Sequence, residues 1–315
     1  MREEQLTSVV VPVYNSEATI EACIRSILGQ TVSRLELIVI DDGSTDGSGD
    51  ICDRLARQDA RMKVIHQPNK GRTEARHVGV QNGSGEWVCF VDSDDMLKPE
   101  ALARLTAATS SDTDIVFGNA KSLIAQGDAS PATHHYPLQE FRHLAVRAEG
   151  TIGVPWGSLY RRSVLTPWLF NLPRHIMMGE DYIFWLRLVF TTQKPVALVY
   201  ENVYCKGDDH TSNSFRWSAD YCYELNELRK NSIPDNLHRE FMADMLADRL
   251  ENMYSVALWT PRSDWQDSPY YRELLADLSA NGIQIAPKGR LFLALPSLRL
   301  RRLYNWVSRR LRVIG

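Results

Sequence analysis

Three carboxylates in four residues, Asp92, Asp94 and Asp95, close the stretch Glu86-Trp-Val-Cys-Phe-Val-Asp-Ser-Asp-Asp95. Like charges this close repel and raise one another's pKa. A chain tolerates them at the mouth of a sheet most readily when a cation is to be bound there. Carboxylate oxygens suit hard divalent ions such as Mg²⁺ or Mn²⁺, which keep several waters and bridge to substrate phosphates. The competing reading is a solvated acidic turn before a helix that opens at Lys98-Pro99-Glu100. Two further acidic pairs stand apart from it, Asp41-Asp42 and Glu180-Asp181. A carboxylate can serve as a general base when it lies within hydrogen-bond reach of the proton it takes. Glu180-Asp181 also suits the first turn of a helix, where negative charge is favourable whatever the function.

The elements around these residues alternate. Ser8–Tyr14 is a β-branched run that reads as a buried strand, expected to end at Pro12 because proline cannot donate to a ladder. Asn15-Ser16 offers an N-cap, and Ala18, Ile20, Cys23, Ile24 and Ile27 recur at helical spacing. Strands are expected at Leu35–Ile40, Met62–Ile65, in the front half of Glu86–Asp95, and at Asp114–Gly118. Helices are expected from near Asp46, over Thr73–Gln81 and over Pro99–Ala108. This alternation predicts an α/β fold with a parallel sheet and helices on both faces, which binds ligands beyond the carboxyl ends of its strands. Tyr14-Asn15, Asp41-Asp42 and Asp92–Asp95 all fall at that rim. From Ala120 to Glu149 periodicity is poor, so a partly irregular insertion is expected. Val154–Tyr160 is apolar and aromatic, Met178–Asp181 leads into an amphipathic helix, and Val196–Tyr204 reads as one strand. After Trp217 four helices are expected, near 219–231, 235–259, 264–281 and 297–313. The expected domains are 1–217 and 218–315.

A net charge of −3 over 315 residues gives no sign of a nucleic-acid partner. The charge is uneven: Ile283–Gly315 holds eight basic residues and no Asp or Glu, against 28 basic and 39 acidic before it. The five cysteines form no Cys-x-x-Cys pair and read as free thiols of a reducing compartment. A polar start leading directly into a strand does not resemble a signal peptide, and no apolar run approaches the roughly 18 residues of a membrane span. A cytoplasmic protein is expected.

Five motifs in order carry a resemblance. Val-Val-Val-Pro-Val-Tyr-Asn15, Leu-Ile-Val-Ile-Asp-Asp-Gly-Ser-Thr-Asp46, Asn69-Lys-Gly-Arg-Thr-Glu-Ala-Arg76, Phe-Val-Asp-Ser-Asp-Asp95 and Gly-Glu-Asp181 stand as in family 2 glycosyltransferases. The resemblance covers about residues 6–215. It implies the GT-A fold, here a Rossmann-like, mixed, mostly parallel sheet followed by a helical C-terminal extension. It also implies inverting transfer from a nucleotide-sugar on Mn²⁺ or Mg²⁺. Pro12 and Tyr14 would line the nucleobase pocket with Asn15, Asp42 would accept the uracil N3–H, and Asp41 would shape that turn. Arg76 would meet the diphosphate or a metal-binding carboxylate. Asp94 would bind the metal. Asp92 would hold ribose or sugar hydroxyls and metal-bound water, with Ser93 beside it and Asp95 sharing the shell. Asp181 would be the catalytic base, Glu180 would bond the acceptor, and His210 would belong to a loop closing over the diphosphate. Trp156 would offer a stacking surface for a sugar on the acceptor side, or else pack in the core.

Two departures stand out. Ala75-Arg76-His77 replaces the family's Ala-Arg-Asn, and His77 is assigned no role. Trp156-Gly-Ser-Leu159 replaces Trp-Asn-Lys-Leu, so the family's Lys is missing here. The resemblance further implies a UDP-sugar donor and a glycan or polyprenyl-diphosphate-linked acceptor in surface-polysaccharide synthesis, such as O-antigen, capsule or exopolysaccharide. A sugar nucleotidyltransferase would instead show a Gly-rich basic loop where Tyr14-Asn15-Ser16-Glu17 stands. Intact Asp42, Asp94 and Asp181 argue against a degenerate, non-catalytic nucleotide-sugar binder.

The last helix, 297–313, is amphipathic. With Leu300 as zero on a helical wheel, Leu303, Tyr304, Val307, Leu311 and Ile314 fall within about 60°. Arg299, Arg301, Arg302, Arg309, Arg310 and Arg312 lie opposite, and Trp306 lies between the faces. Either the apolar stripe packs on the catalytic domain with the arginines in solvent, or the helix lies peripherally on the anionic inner face of a membrane.

Overall fold

The computed structural model describes residues 5–118, 134–148, 154–207 and 217–314, with side chains in the last helix as far as Trp306. The β-branched run becomes β1 (Thr7–Val13), buried throughout. It is followed by α1 (Ile20–Leu28), whose Ile20, Cys23, Ile24 and Ile27 form one buried stripe. β2 (Leu35–Asp41), α2 (Ser48–Ala56), β3 (Met62–His66), α3 (Arg72–Asn82) and β4 (Trp87–Phe90) complete the alternation. β3, β2, β1 and β4 lie side by side and parallel. The strand order reverses at β1, because the chain steps outward to β3 and returns on the other flank as β4. That reversal is the switch point at which α/β sheets bind their ligands.

Pro12 lies inside β1, opposite Ile40, and not after its end. The ladder explains why it is tolerated. Val10 gives its carbonyl to Val91 on the β4 side, and β4 pairs with β1 no further than Phe90. Two residues on, the Pro12 nitrogen faces a side where no partner strand is left to receive a donor.

The remaining elements of this part are β5 (Met96–Leu97), α4 (Ala101–Ala107), β6 (Ile115–Phe117), β7 (His134–Tyr136), α5 (Leu138–Val146), β8 (Leu159–Arg161), α6 (Pro167–Phe170), α7 (Glu180–Thr191), β9 (Val196–Leu198) and β10 (Tyr204–Cys205). β8 runs antiparallel between β4 and β6, β9 is parallel to β6, and β7 closes that edge antiparallel. The sheet is therefore mixed and mostly parallel, as expected.

The partly irregular stretch expected over 120–149 contains the helix α5; its Arg142 is buried, giving Nε–H to Val189 and Nη2–H to Thr192 at the end of α7, which spoils the apolar period. Two expectations need correction. The single strand expected over Val196–Tyr204 is two short ones, because β10 leaves the main sheet to pair with β5. A helix, α11 (Pro287–Ala294), stands where none was expected; it buries only Phe292 and Leu293, too short a stripe to read.

The chain forms two compact units, Met1–His210 and Thr211–Gly315. The second is helical: α8 (Ala219–Lys230), α9 (His238–Trp259), α10 (Pro269–Ala280), α11 and α12 (Leu298–Ile314). Ser218 and Ser268 cap α8 and α10. The core gathers Leu246, Met253, Val256, Trp265, Tyr270, Leu274 and Phe292. Arg301, placed on the polar face by the wheel, is fully buried here, while Leu300 and Leu303 are exposed. The guanidinium is held inward by three carbonyls: Ala257 and Thr260 at the end of α9, and Leu295 after α11. The N–H that would ordinarily close onto Ala257 belongs to Pro261, which has none.

Candidate active site

The acid turn sits directly past β4. Asp92 gives its backbone N–H to the Tyr204 hydroxyl at 3.1 Å. Ser93 shares a 2.7 Å hydroxyl contact with Ser16, tying the turn to the end of β1. Asp94 is exposed and pairs with nothing among the described residues. Asp95 points the other way. It is 3% exposed and accepts the Gly207 N–H at 2.7 Å. Burial pushes its carboxyl up and the neighbouring acids add to this, against the Gly207 and Tyr204 hydrogen bonds. A Cβ on Gly207 would come within 2.1 Å of the Asp94 carbonyl, so this position must be glycine. Asp95 therefore anchors the chain after β10 and does not stand out beside Asp94.

The ends of β1 and β2 form the neighbouring wall. Tyr14 is half exposed, and Asn15 takes a positive φ of 50°, accepting the Thr45 N–H at 2.8 Å. Asp41 accepts from Ser44 N and from His66 Nδ1, and Asp53 takes the other ring nitrogen of His66. A carboxylate at each nitrogen requires an N–H on both, so the bonds to Asp41 and then Asp53 hold the imidazolium and raise its pKa. Asp42 is buried and accepts three hydrogen bonds, from Gln67 Nε2, Lys70 N and Gly71 N, at 2.7, 2.8 and 2.7 Å. It holds the turn that starts α3.

α3 supplies the cations. Gly79 lets it settle onto β1, since a Cβ there would meet Val10 at 2.2 Å. One turn earlier, Arg76 is 2% exposed and reaches two acids from distant parts of the chain: Asp181 at 2.5 Å and Asp92 at 2.7 Å. Burial opposes its charge, but Asp181 and then Asp92 outweigh that and hold the guanidinium protonated beyond the ordinary range. Arg72, four residues before it, pairs with Glu180. Gly179, at φ +88°, turns the chain so that Glu180 and Asp181 open α7. Burial raises the Glu180 carboxyl, the charge of Asp181 adds to this, and Arg72 opposes it.

Trp156 is half-buried, with one face stacked on Tyr204 at 4.5 Å. His77 stacks on Phe170 at 5.1 Å, a packing role. His210 lies outside the described residues. The sequence reading missed Arg72, Tyr204, Ser16 and Gln67. Spacing alone could have found Arg72, which shares a helical face with Arg76 at i, i+4. Nothing local marks Tyr204, 112 residues from Asp92.

Among the described residues no group of three or more His, Cys, Asp or Glu side chains gathers at one point to hold a metal. Asp94 and the Asp92 oxygen not given to Arg76 nevertheless fit a hard divalent ion of the kind that needs one or two carboxylates and completes its shell with waters and substrate phosphates.

A switch-point acid turn, a buried guanidinium and a helix opening on Glu-Asp, set on this sheet order, are those of a GT-A fold. The chain belongs to glycosyl transferase family 2, whose model matches residues 8–167. It is 33% identical over 198 residues to the putative glycosyltransferase EpsH of Bacillus subtilis, covering 60% of this chain and 57% of EpsH. With glycosyltransferase GlyG of Streptococcus pneumoniae it shares 44% over 117 residues, 36% of this chain and 39% of GlyG. The chain thus spans about half the length of these relatives. Among solved structures, a fragment of S. aureus TarS in complex with UDP superposes with a TM-score of 0.62 at 21% identity, over 96% of this chain and 87% of that one.

Proposed function

We propose that this chain is an inverting, divalent-metal-dependent glycosyltransferase. It moves a sugar from a UDP-sugar to a hydroxyl of a glycan or polyprenyl-diphosphate-linked oligosaccharide in the synthesis of a bacterial surface polysaccharide. The observation that carries the reading is the buried Arg76, which holds Asp181 and Asp92 one guanidinium apart. Asp181 removes the proton as the acceptor hydroxyl attacks the anomeric carbon. The new carbon–oxygen bond forms opposite the breaking bond to the nucleoside diphosphate, which inverts the centre. Glu180, held by Arg72, bonds the acceptor or the transferred sugar. Tyr14 and Pro12 line the base, with Asn15 at the same rim. Asp42 accepts the uracil imide N–H with the lone pair its three protein donors leave. Asp94 and Asp92 hold the metal, which when bound offsets charge on the departing diphosphate. Ser93 fixes that turn through Ser16, and Trp156 offers its free side to a sugar. His210 is placed on the diphosphate by motif alone. A UDP complex of TarS and a mannosyltransferase neighbour solved with GDP-Man and Mn²⁺ support the donor class and the metal. The protein works in the cytoplasm, meeting a lipid-linked acceptor at the inner face of the membrane through 297–313.

The test is Asp181→Asn, which keeps shape and polarity but cannot take the proton. Turnover should fall by about 10²–10⁴, the usual cost of losing a general base. Thermal stabilisation by a panel of nucleotide-sugars with Mn²⁺ should persist and be strongest for a UDP-sugar. A variant that keeps most of its single-turnover rate would remove Asp181 from this role.

A further inference from the structure

The helical unit presents a face that the amphipathic pattern did not anticipate. α12 turns Arg301 and Tyr304 inward: Arg301 is 0% exposed, and Tyr304 packs on the core and gives its hydroxyl to the Lys288 carbonyl. The opposite arc carries Arg299, Arg302, Leu303 and Trp306, spaced i, i+3, i+4, i+7 and all exposed, with Leu300 at its edge. Trp259, the last residue of α9, adjoins this arc: the Arg302 guanidinium lies over its ring, 5.0 Å from the centroid. Trp259, Leu303 and Trp306 are each close to half exposed or more, at 48%, 55% and 52%.

Two tryptophans and two leucines interleaved with arginines make a surface of the kind that sits at the headgroup level of a bilayer. Indoles favour that interface, and arginine stems lie along apolar surface while their charges stay wet. The charge selects the lipid. No Asp or Glu occurs from Ile283 to Gly315, so the exposed Arg299 and Arg302 have no acid of their own segment to neutralise them. No helix among the described residues is long and apolar enough to cross a membrane, so contact through this face is in-plane.

We propose that Trp259, Arg299, Leu300, Arg302, Leu303 and Trp306 form one docking face that seats the helical unit on an anionic lipid bilayer, with α12 lying along the surface. The proposal rests on the membrane contact named above and moves it from the Leu300–Tyr304 side of the helix to the Arg299–Trp306 side, adding a residue from α9.

The full chain is mixed with vesicles of phosphatidylcholine alone and of phosphatidylcholine with phosphatidylglycerol. It should co-sediment with the anionic vesicles and much less with the neutral ones, and salt should weaken binding by screening. Lipids brominated in the upper acyl chain should quench tryptophan fluorescence, and the Trp259→Phe/Trp306→Phe double variant should lose most of that quenching. Leu303→Asp puts a charge on an already exposed position, so the fold is retained. It should lower the vesicle partition coefficient at least tenfold, while Leu275→Asp, on an exposed leucine of α10, should leave it unchanged. Equal partition of the Leu303→Asp variant and the parent chain overturns the proposal. So does a dimer without lipid that Leu303→Asp dissolves, since a second copy would then be the occupant. Nucleotide-sugar binding is measured without vesicles. A parent chain that binds a nucleotide-sugar but does not partition onto anionic vesicles sinks this inference alone, and one that partitions but binds no nucleotide-sugar sinks only the donor reading.

Discussion

Arg76 makes the proposed base and the acid turn a single unit. Removing one partner of a buried ion pair typically costs about 3–5 kcal/mol, because the charge left behind stays buried. Substituting Asp92 would therefore disturb Asp181 as well, through the guanidinium they share. Asp94 is the cleaner probe, since it is exposed and pairs with no other described residue. Asp94→Ala should abolish turnover and remove the dependence of UDP binding on Mn²⁺ or Mg²⁺, read by titration calorimetry. The melting curve of the nucleotide-free protein should stay where it was. Full-rate transfer by chelator-treated protein would take the metal out of the reading.

At the scale of elements, the rim is built where strand ends meet. Asp41 closes β2 directly beside His66, which closes β3 in the same register. The ring is half exposed, so screening limits what its ion pairs contribute. The sign is nonetheless fixed. The bonds to Asp41 and Asp53 raise the folded-state pKa above the ordinary value of about 6.5. Their stabilisation is then fully present below about 6.5 and is lost as pH rises through the raised value. His66→Gln keeps a hydrogen-bonding group without the charge. Its melting temperature should fall short of the parent's at pH 6, and the gap should close by pH 9. A gap of constant size across that range would mean the ring acts as a neutral group.

At the scale of the molecule, α12 is part of the helical unit and not a detachable tail. Arg301 satisfies three carbonyls at the ends of α9 and α11, and its guanidinium lies 5.7 Å from the Trp265 ring centroid. Leaving a buried polar group unsatisfied costs about 1–3 kcal/mol. Truncation after Pro296 should accordingly destabilise Thr211–Gly315, seen as a lower denaturation midpoint and lost helical circular dichroism. A truncated chain with an unchanged midpoint would show the helix to be dispensable. For the same reason single substitutions on the exposed arc, and not truncation, are the sound test of membrane contact.

The sequence by itself determined the alternation from β1 to β4, because buried parallel strands are continuous β-branched runs and the helices between them carry a 3.6-residue apolar stripe. It also determined that Asp41-Asp42 and Asp92–Asp95 fall at one rim, since strand ends in such a sheet share an edge. Local pattern could not reach what depends on long-range pairing. β10 leaves the sheet because β5 offers it a partner, α5 hides behind a buried arginine, and Pro12 sits inside a strand because the β4 ladder stops short. Only the tertiary structure brought Asp181 to Asp92 through Arg76, across 105 and 16 residues of chain. The same holds for α12. A helical wheel orders residues by apolarity, but the inward face carries a guanidinium that donates to three carbonyls at helix ends, and that hydrogen bonding in the interior outweighed the leucines left at the surface.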